Sequence, residues 1–256
     1  MAFDEKLFGH LIKNSDFEFD HLYFKSIDST NEYAKRHDFD KTTVIISSEQ
    51  YKGKGRLGRQ FISEKDKGVY FSIVEYGLTH KQISMLTIAA GVCVCEVLEE
   101  ECKKDFSIKW VNDILFDGKK VCGILVENTV DESTKSMQKS VIGIGINLYK
   151  NVDESICDIA SSVEYMTSKK LLGERVVFKI VNKLEQFLKK NDKANILDIY
   201  RKKCITCNRD VIVNTFSKVY PAFALGIDDE GHLLVEAQGR TFALNSGEVS
   251  VLPKIK

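Results

Sequence analysis

The sequence has no surplus of charge of either sign, since 37 basic side chains are balanced by 37 acidic ones. A protein that binds a nucleic-acid backbone usually carries a basic excess, so we expect no nucleic-acid partner. A long hydrophobic run is also missing, because Ser84, Thr87 and Glu96 interrupt the most apolar stretch, 83–98. The segment Met1–Phe8 is charged and lacks the apolar centre of a signal peptide. We therefore expect a cytoplasmic protein that does not bind a membrane.

The spacing of cysteine and histidine lacks the pattern of a structural zinc site. Seven cysteines are present, an odd number, and only Cys204 and Cys207 stand at C-x-x-C spacing. A zinc site would need a second such pair or histidines at ligand spacing, and neither follows. Several of the other cysteines lie in apolar runs, where free cysteine behaves as a small hydrophobic residue. We therefore expect neither a metal held by the protein nor thiol redox chemistry.

Strand-like and helix-like runs alternate from about Phe19 to Cys207. A cap at Ser29 predicts a short helix to about His37, and the apolar run 83–103 predicts a buried helix. Apolar residues on one face of 176–188 indicate an amphipathic helix, and 196–203 adds a shorter one. Alternating and β-branched runs predict strands at 43–48, 69–76, 107–110, 114–117, 120–128 and 140–148, with Asp117-Gly118 as a hairpin turn. We expect an α+β fold in which helices cover a mixed β-sheet.

After Cys207 only short strands are predicted. Their apolar residues alternate with period two, in the pairs Val211/Val213, Leu233/Val235, Phe242/Leu244 and Val249/Val251. Turns at 229–231 and Gly239 separate them. This spacing predicts a small antiparallel barrel. We therefore expect two domains, one comprising residues 1–207 and the other residues 208–256.

The segment 53–59, Gly-Lys-Gly-Arg-Leu-Gly-Arg, is rich in glycine and basic. Glycine lets the backbone approach a ligand, and successive N–H groups with nearby cations can bind a phosphate or a carboxylate. The spacing matches the dinucleotide fingerprint, but the nine residues between Gly58 and Gly68 show no helical apolar face. A Walker A loop would need Lys-Ser/Thr where Arg59-Gln60 stand. By itself, the segment also fits a solvated basic loop.

Four segments together resemble the catalytic domain of biotin–protein ligases. In chain order they are Ser29-Thr30-Asn31; Gln50 with the loop 53–59; Lys109–Asp113 followed by Lys120–Glu127; and Gly143–Asn147. The resemblance covers about 28–148 and extends more loosely to 247–250. It implies a class II synthetase-like catalytic domain with a C-terminal SH3-like barrel. It also implies activation of biotin by ATP with release of diphosphate, followed by transfer from biotinyl-5′-AMP to a lysine of a carboxylase's biotin-acceptor domain.

The resemblance implies a role for each matching residue. The biotin-binding residues would be Ser29, Thr30, Asn31, Gln50, Lys54, Gly55, Arg56, Lys109 and Gly123. The ATP-binding residues would be Arg56, Arg59, Phe61, Asn112, Asp113 and Asn147. Lys109 and Arg56 would be catalytic, with Lys109 bridging the biotin carboxylate and the α-phosphate. Mg²⁺ would arrive with ATP rather than at a fixed protein site.

The residue types suit these substrates on chemical grounds as well. A ureido ring has one acceptor and two N–H donors, which hydroxyl and amide side chains can satisfy. A cation at Lys109 would offset the repulsion between a carboxylate and a phosphate. We also expect Trp110, Ile124 and Ile144 to form an apolar wall for the bicyclic ligand.

Some positions depart from the family, and some alternatives stay open. Val111, Cys122 and Phe61 stand where most members have proline, glycine and tryptophan, yet none of these changes removes a proposed catalytic group. Members that act as repressors carry a helix-turn-helix domain, for which the 28 residues before Ser29 are too few. We therefore expect a ligase without DNA binding, in a family where homodimers are common. The alternatives are a lipoate–protein ligase-like acyltransferase, a non-catalytic biotin-binding module and a dinucleotide-dependent oxidoreductase.

Overall fold

A seven-stranded β-sheet forms the centre of the computed structural model, which describes residues 3–130, 137–149, 152–215, 218–245 and 247–252. Its strands are β1 (Asp20–Phe24), β2 (Thr43–Ser47), β3 (Val69–Tyr76), β4 (Ser107–Lys109), β5 (Asp113–Phe116), β6 (Lys119–Val130) and β7 (Met137–Ile146). Their order across the sheet is β1-β2-β3-β7-β6-β5-β4. Strand β1 is parallel to β2, and the other described pairs are antiparallel. The predicted mixed sheet is therefore confirmed.

Helices cover both faces of this sheet. They are α1 (Glu5–Ile12), α2 (Thr30–Arg36), α3 (His80–Cys102), α4 (Val163–Thr167), α5 (Gly173–Lys190) and α6 (Lys193–Lys203). On α3, Gly91 faces the side chain of Ile124, whereas Asn31 of α2 lies against Gly143, the partner of Leu125. Adjacent residues of a strand point to opposite faces, so α2 and α3 lie on opposite sides of the sheet.

Helix α3 is long and apolar enough to cross a membrane by length and composition alone, with a mean hydropathy of 1.5 over its most apolar window. In this fold, 67% of that window is buried inside the protein. The side chains of Met85, Leu86 and Leu98 are among those fully enclosed in the main hydrophobic core. Its composition therefore matches a core helix that is covered on most sides.

The last five strands form a second, antiparallel sheet. They are β8 (Arg209–Asn214), β9 (Val219–Ile227), β10 (Leu233–Ala237), β11 (Arg240–Leu244) and β12 (Glu248–Val251), in the order β11-β10-β9-β8-β12. Val211, Val213 and Val235 are fully buried, as the period-two pattern predicts. Among the described residues, no pairing joins β11 to β12, so the structure shows a five-stranded sheet.

The turn between β9 and β10 fixes this second sheet to the first. The indole N–H of Trp110 donates to the carbonyl of Gly231 at 3.2 Å. Gly231 has a φ of +84°. A Cβ at Gly231 would lie 2.2 Å from Ile88 of α3, so the turn approaches too closely for any other residue. Arg201 of α6 forms an ion pair with Asp229 at 2.7 Å. The two sheets therefore meet through polar and close-packed contacts beside β4.

Candidate functional site

A cavity of about 240 Å³ opens on the face of the large sheet that carries α2. Its floor includes Gly123, Gly143 and Gly145 on the neighbouring strands β6 and β7. A Cβ at Gly143 would lie 2.1 Å from Asn31 Oδ1, and one at Gly145 would lie 2.5 Å from the ring of Phe61. Both positions therefore require glycine, because the side chains of Asn31 and Phe61 rest directly on the strand.

Asn31 forms the centre of the polar end of the cavity. Its amide nitrogen donates to the carbonyl of Leu125 at 3.2 Å and to Glu127 Oε2 at 2.9 Å. The hydroxyl of Ser72 lies 2.6 Å from Asn31 Oδ1, to which it donates. Both amide hydrogens are thus used inside the protein. The remaining lone pair of Oδ1 is what the side chain can offer to an N–H donor of a ligand.

Gln50 joins the start of α2 to the segment that follows the glycine-rich loop. Its Oε1 accepts from the N–H of Thr30 at 2.8 Å and lies 3.1 Å from the Thr30 hydroxyl. Its Nε2 donates to Ser63 at 2.9 Å. Ser29 caps α2 by accepting from the N–H of Glu32 at 3.4 Å, and it lines the cavity. Ser29, Thr30 and Gln50 are therefore held in place before any ligand arrives.

A chain of charged side chains lies behind the polar end. Lys35 binds Glu127 at 2.7 Å and Glu32 at 2.6 Å, and Lys54 binds Glu32 at 2.6 Å. Burial opposes ionisation of Glu32, but hydrogen bonds from Lys35 and Lys54 outweigh it and hold the pKa of that carboxyl below its usual value. These ion pairs run from Glu127, which binds Asn31, to Lys54 in the loop. They therefore couple the orientation of Asn31 to the position of Lys54.

The glycine-rich loop is hydrogen-bonded to itself. The N–H of Gly55 donates to the carbonyl of Arg59 at 2.7 Å, and that of Phe61 donates to Gly53 at 2.9 Å. Between them, a 3₁₀ turn spans Arg56–Gly58. The Arg56 guanidinium donates to Asn112 Oδ1 at 3.3 Å, which connects the loop to the segment after β4. The loop therefore forms an ordered flap over one side of the cavity.

The other end of the cavity is strongly cationic. Among the described residues, five basic side chains line the cavity as a whole, against the single carboxylate of Asp113; they are Lys54, Arg56, Arg59, Lys109 and Lys120. Lys120 pairs with Asp113 at 2.7 Å. Lys109 lies half-buried at the end of β4, and no ion pair joins its ammonium to any residue in the described part of the chain. The excess of positive charge suits a ligand that carries several negative charges.

Two of the expected nucleotide contacts lie in different surroundings. Phe61 rests on Gly145 at the cavity, with Lys120 Nζ 5.8 Å from its ring centroid. Asn147 does not line this cavity; its side chain donates to the carbonyl of Ser161 at 3.3 Å, and it borders a separate, small depression. The structure therefore brings together every residue assigned to biotin or nucleotide except Asn147, whose nucleotide contact stays a prediction.

The expected apolar wall is only partly correct. Ile124 lies in the main core and its side chain points toward Gly91 of α3, and Ile144, its cross-strand neighbour, shares that face. The alternation along a strand turns these side chains away from the cavity, so only their backbone borders it. Trp110 lines the cavity but is also packed against the second sheet.

Several residues that shape the site have no role implied by the sequence motifs, although some of them lie within the matching segments. Ser72, Ser63 and Glu127 hold the polar end, Lys120 adds to the cationic end, and Gly247 and Val249 bring the second sheet to the cavity. Ser72 is the one serine within the mostly apolar strand β3, which was the available signal. Its partners are far away along the chain, so no local pattern could identify them.

The described residues hold no cluster of three or more His, Cys, Asp or Glu side chains that could bind a metal ion. The one carboxylate that lines the cavity within the described ranges, that of Asp113, is already neutralised by Lys120. A divalent cation would therefore have to bring most of its ligands with it, as a cation bound to nucleotide phosphates does.

Comparison with known proteins points to one family. Residues 23–147 match the model of the biotin/lipoate A/B protein ligase family. The Bifunctional ligase/repressor BirA of Bacillus subtilis is 27% identical over 240 residues, which cover 90% of this chain and 73% of that protein. The biotin–[acetyl-CoA-carboxylase] ligase of Mycobacterium tuberculosis is 24% identical over 218 residues, covering 80% of this chain and 77% of the relative. A solved biotin protein ligase from Aquifex aeolicus, in complex with biotin and ATP, has a TM-score of 0.77 at 27% identity and covers 91% of this chain and 98% of its own.

Proposed function

We propose that the chain belongs to the biotin/lipoate A/B protein ligase family, whose model residues 23–147 match, and that it activates biotin with ATP and transfers it to a lysine of a partner protein. One observation carries the proposal: a single cavity joins a preformed polar end around Asn31 to a cationic end around Lys109. A ureido ring fits the polar end, and a carboxylate next to a triphosphate fits the cationic end.

The polar end supports a biotin ring more than a plain acyl chain. Asn31 Oδ1 can accept from one ureido N–H, and the hydroxyls of Ser29 and Thr30 can serve the ureido carbonyl or the second N–H. The glycines of β6 and β7 let Asn31 and Phe61 lie directly on the sheet, and both side chains border the cavity that would hold the bicyclic ring. Because the network is already formed, little side-chain entropy would be lost on binding.

The cationic end supports the activation step. A carboxylate oxygen of biotin attacks the α-phosphorus, the bond from that phosphorus to the bridging oxygen breaks, and diphosphate leaves with its charge. Lys109, with Arg56 and Arg59 nearby, would bring the two anions together and stabilise the charge that develops between them. We propose that Mg²⁺ enters on the phosphates of ATP, where it supplies further charge neutralisation.

The second step releases AMP. An uncharged lysine amine of the partner attacks the acyl carbon of biotinyl-5′-AMP, the acyl–phosphate bond breaks, AMP departs with the electron pair, and the attacking nitrogen releases one proton to solvent. The flap formed by the loop 53–59 would shield this mixed anhydride from water until the partner arrives. Gly55 and Lys54 belong to that flap, and Gly123 lies on the floor beneath it.

Several finer assignments accompany this proposal. The partner would be the biotin-acceptor domain of a biotin-dependent carboxylase, and the reaction would take place in the cytoplasm. Residues 1–207 would form the catalytic domain and residues 208–256 an SH3-like barrel. A homodimeric assembly is compatible with the proposal.

Release of diphosphate tests the activation step and separates biotin from lipoate, the other substrate in the family's name. The protein is incubated with ATP and Mg²⁺ together with biotin, with lipoate, or with neither. Release with biotin alone is the expected result. Release with lipoate but not biotin would reassign the substrate, and no release with either, despite measurable biotin binding, would make the chain a binding module.

A further inference from the structure

The side-chain amide of Asn31 has a fixed orientation at the polar end of the cavity. Its nitrogen donates to the carbonyl of Leu125 at 3.2 Å and to Glu127 Oε2 at 2.9 Å. Both partners can only accept, since a carbonyl carries no hydrogen and the Glu127 carboxylate is paired with the ammonium of Lys35 at 2.7 Å. The nitrogen of Asn31 therefore faces strand β6, and the oxygen occupies the other position of the amide.

The oxygen side of this amide is bounded by hydroxyl groups. The hydroxyl of Ser72 lies 2.6 Å from Asn31 Oδ1 and 2.7 Å from the hydroxyl of Thr30. Because Oδ1 has no hydrogen, the single hydrogen of the Ser72 hydroxyl is donated to it. Thr30 can donate in turn to Ser72 or to Gln50 Oε1, which lies 3.1 Å away. An amide oxygen has two lone pairs, so one of them can bind an N–H group of a ligand in the cavity that Asn31 lines.

Glu127 is held where it can fix this orientation. It lies two residues after Leu125 on β6, so both side chains point to the face of the sheet that carries α2. The side chain of Glu127 is 27% exposed and that of Lys35 is 24% exposed, so the pair is largely shielded from water. Lys35 also binds Glu32 at 2.6 Å, which fixes its ammonium on α2. The carboxylate of Glu127 is thus held between the ammonium of Lys35 and the amide nitrogen of Asn31.

We propose that Glu127 is a positioning residue that sets the specificity of the polar end. By accepting from the Asn31 nitrogen, it keeps the Asn31 oxygen available to the ligand and selects a ring that presents an N–H group there. This role rests on the proposed function, and Glu127 acts in it through Asn31 rather than by touching biotin. A ureido ring meets the requirement with either of its two N–H groups. The dithiolane ring of lipoate carries no N–H group and does not meet it.

Both acceptors oppose reversal of the Asn31 amide. In the reversed amide, Oδ1 would face the Leu125 carbonyl and the Glu127 carboxylate, which brings three acceptors together with no hydrogen between them. The carboxylate contributes most, because hydrogen bonds to a charged group are stronger than those to a neutral one. In Glu127→Gln, the new amide could donate to a reversed Asn31, and only the Leu125 carbonyl would still oppose reversal. The charge at Glu127 is therefore the main barrier to a ring that offers an acceptor at this point.

A series of ligands tests the preference on the wild-type protein. Calorimetric titration compares biotin with two cyclic carbamate analogues, in each of which one ureido N–H group is replaced by an oxygen atom. The replacement hardly changes the size of the ring, but one of the two analogues places an acceptor against Asn31 Oδ1. We expect that analogue to bind roughly tenfold or more weakly than biotin, because two acceptors are left facing each other.

Glu127→Gln tests whether Glu127 sets this preference. The ratio of the dissociation constants of the weaker analogue and of biotin should fall by roughly fivefold or more in this variant. The matched control is Glu32→Gln, which takes a carboxylate from the same Lys35 but leaves the Asn31 amide with both of its acceptors. Its ratio should equal that of the wild type. A smaller folded fraction would weaken both ligands equally, so the ratio reports specificity even if Glu127→Gln is less stable.

Two results would overturn the role of Glu127. They are equal affinity of the wild type for biotin and both analogues, and an unchanged ratio in Glu127→Gln. Either result can arise while biotin still binds and diphosphate is still released, so it would leave the proposed function intact. Absence of biotin binding by the wild type would instead overturn the proposed function and the role of Glu127 with it.

Discussion

The ammonium group of Lys109 faces the cavity without an ion-pair partner in the described part of the chain, whereas Lys54 and Lys120 are each held by a carboxylate. A half-buried cation of this kind is suited to an anion that arrives with the substrate. Lys109→Ala is therefore expected to reduce the rate of adenylate formation by roughly 100-fold or more, as loss of a charge-stabilising donor does. Single-turnover formation of biotinyl-5′-AMP measures the effect.

Lys104→Ala is the matched control for this variant. Lys104 is an exposed lysine just before β4, outside the cavity, so its removal should leave the rate unchanged. Adenylate formation at the normal rate in Lys109→Ala would show that the charge at this position has no part in the reaction.

We predict that Ser72 affects the binding of biotin but not the binding of ATP. Its hydroxyl donates to Asn31 Oδ1 and lies 2.7 Å from the Thr30 hydroxyl, entirely inside the protein. Ser72→Ala removes the hydroxyl that positions Asn31 and Thr30, so we expect biotin to bind roughly fivefold or more weakly, a loss of about 1 kcal/mol. Calorimetric titration with biotin, and separately with ATP, checks this.

The exposed Ser84 supplies the control variant Ser84→Ala, which should bind both ligands normally. Equal weakening of biotin and ATP in Ser72→Ala would indicate a general loss of folding rather than a specific effect on Asn31.

At the scale of elements, β7 carries two glycines in its apolar second half, and Gly143 shows why. Gly143→Ala would place a methyl group 2.1 Å from Asn31 Oδ1, so the side chain must leave its position on the floor. We expect at least a tenfold loss of biotin affinity, about 1.4 kcal/mol, with the sheet still formed. Titration with biotin and a far-ultraviolet circular dichroism spectrum together measure the effect.

Gly226→Ala is an instructive comparison because, apart from its chain neighbours, no described residue has an atom within 4 Å of the added Cβ. That variant, in strand β9, should bind biotin as the wild type does. Unchanged affinity in Gly143→Ala would mean that Asn31 can move without consequence and does not contact the ligand.

Elements with strong local signals could be predicted from the sequence. Ser29 caps α2 as expected, β3 has the predicted bounds, and Asp117 and Gly118 take the positive φ angles of a tight hairpin. Helix α1 and strand β9 were not predicted. In β9, Pro221 stands within the strand and the burial pattern is irregular, since a bulge against β10 interrupts the alternation.

The residues of the candidate site likewise fall into two groups, those that local sequence motifs identify and those that they do not. Contiguous motifs identified Asn31, Arg56 and Lys109, because each lies in a segment whose residues act together. Ser72 and Glu127 contact Asn31 from 41 and 96 residues away, and only the order of strands in the sheet brings them there. Periodicity within one segment carries no information about such partners.

At the scale of the whole molecule, a buried carboxyl pair makes stability depend on pH. Glu75 on β3 is 6% exposed, and burial, followed by its contact with Glu185 of α5, raises the pKa of Glu75 to about 9. Glu75 Oε1 and Glu185 Oε1 have no other hydrogen-bond partner in the part of the chain that the structure describes, so a proton shared between the two carboxyls would satisfy both atoms.

The sign of this effect follows from proton binding. Between about 4.5, the ordinary pKa, and about 9, the folded protein holds a proton that the unfolded chain has released. The contribution of this Glu75 proton to the free energy of unfolding is therefore complete below pH 4.5 and is lost as the pH rises toward 9.

Glu75→Gln keeps a hydrogen-bonding group that can accept from Thr42 and donate to Glu185, without titrating. We expect this variant to gain at least about 1.4 kcal/mol over the wild type between pH 5 and 9, the value of one pKa unit. Urea unfolding across this range measures it, with the exposed Glu236→Gln as the control. Parallel stability profiles for Glu75→Gln and the wild type would contradict a shared proton.

The central claim is that one cavity holds biotin and ATP in position to react. Its most direct test is a single turnover of the whole protein with biotin, Mg²⁺ and ATP labelled at the α-phosphate, followed by rapid gel filtration. We predict labelled biotinyl-5′-AMP that stays with the protein and is released as AMP when an acceptor domain is added. Label recovered only as ATP or ADP, from protein shown to bind both substrates, would contradict the claim.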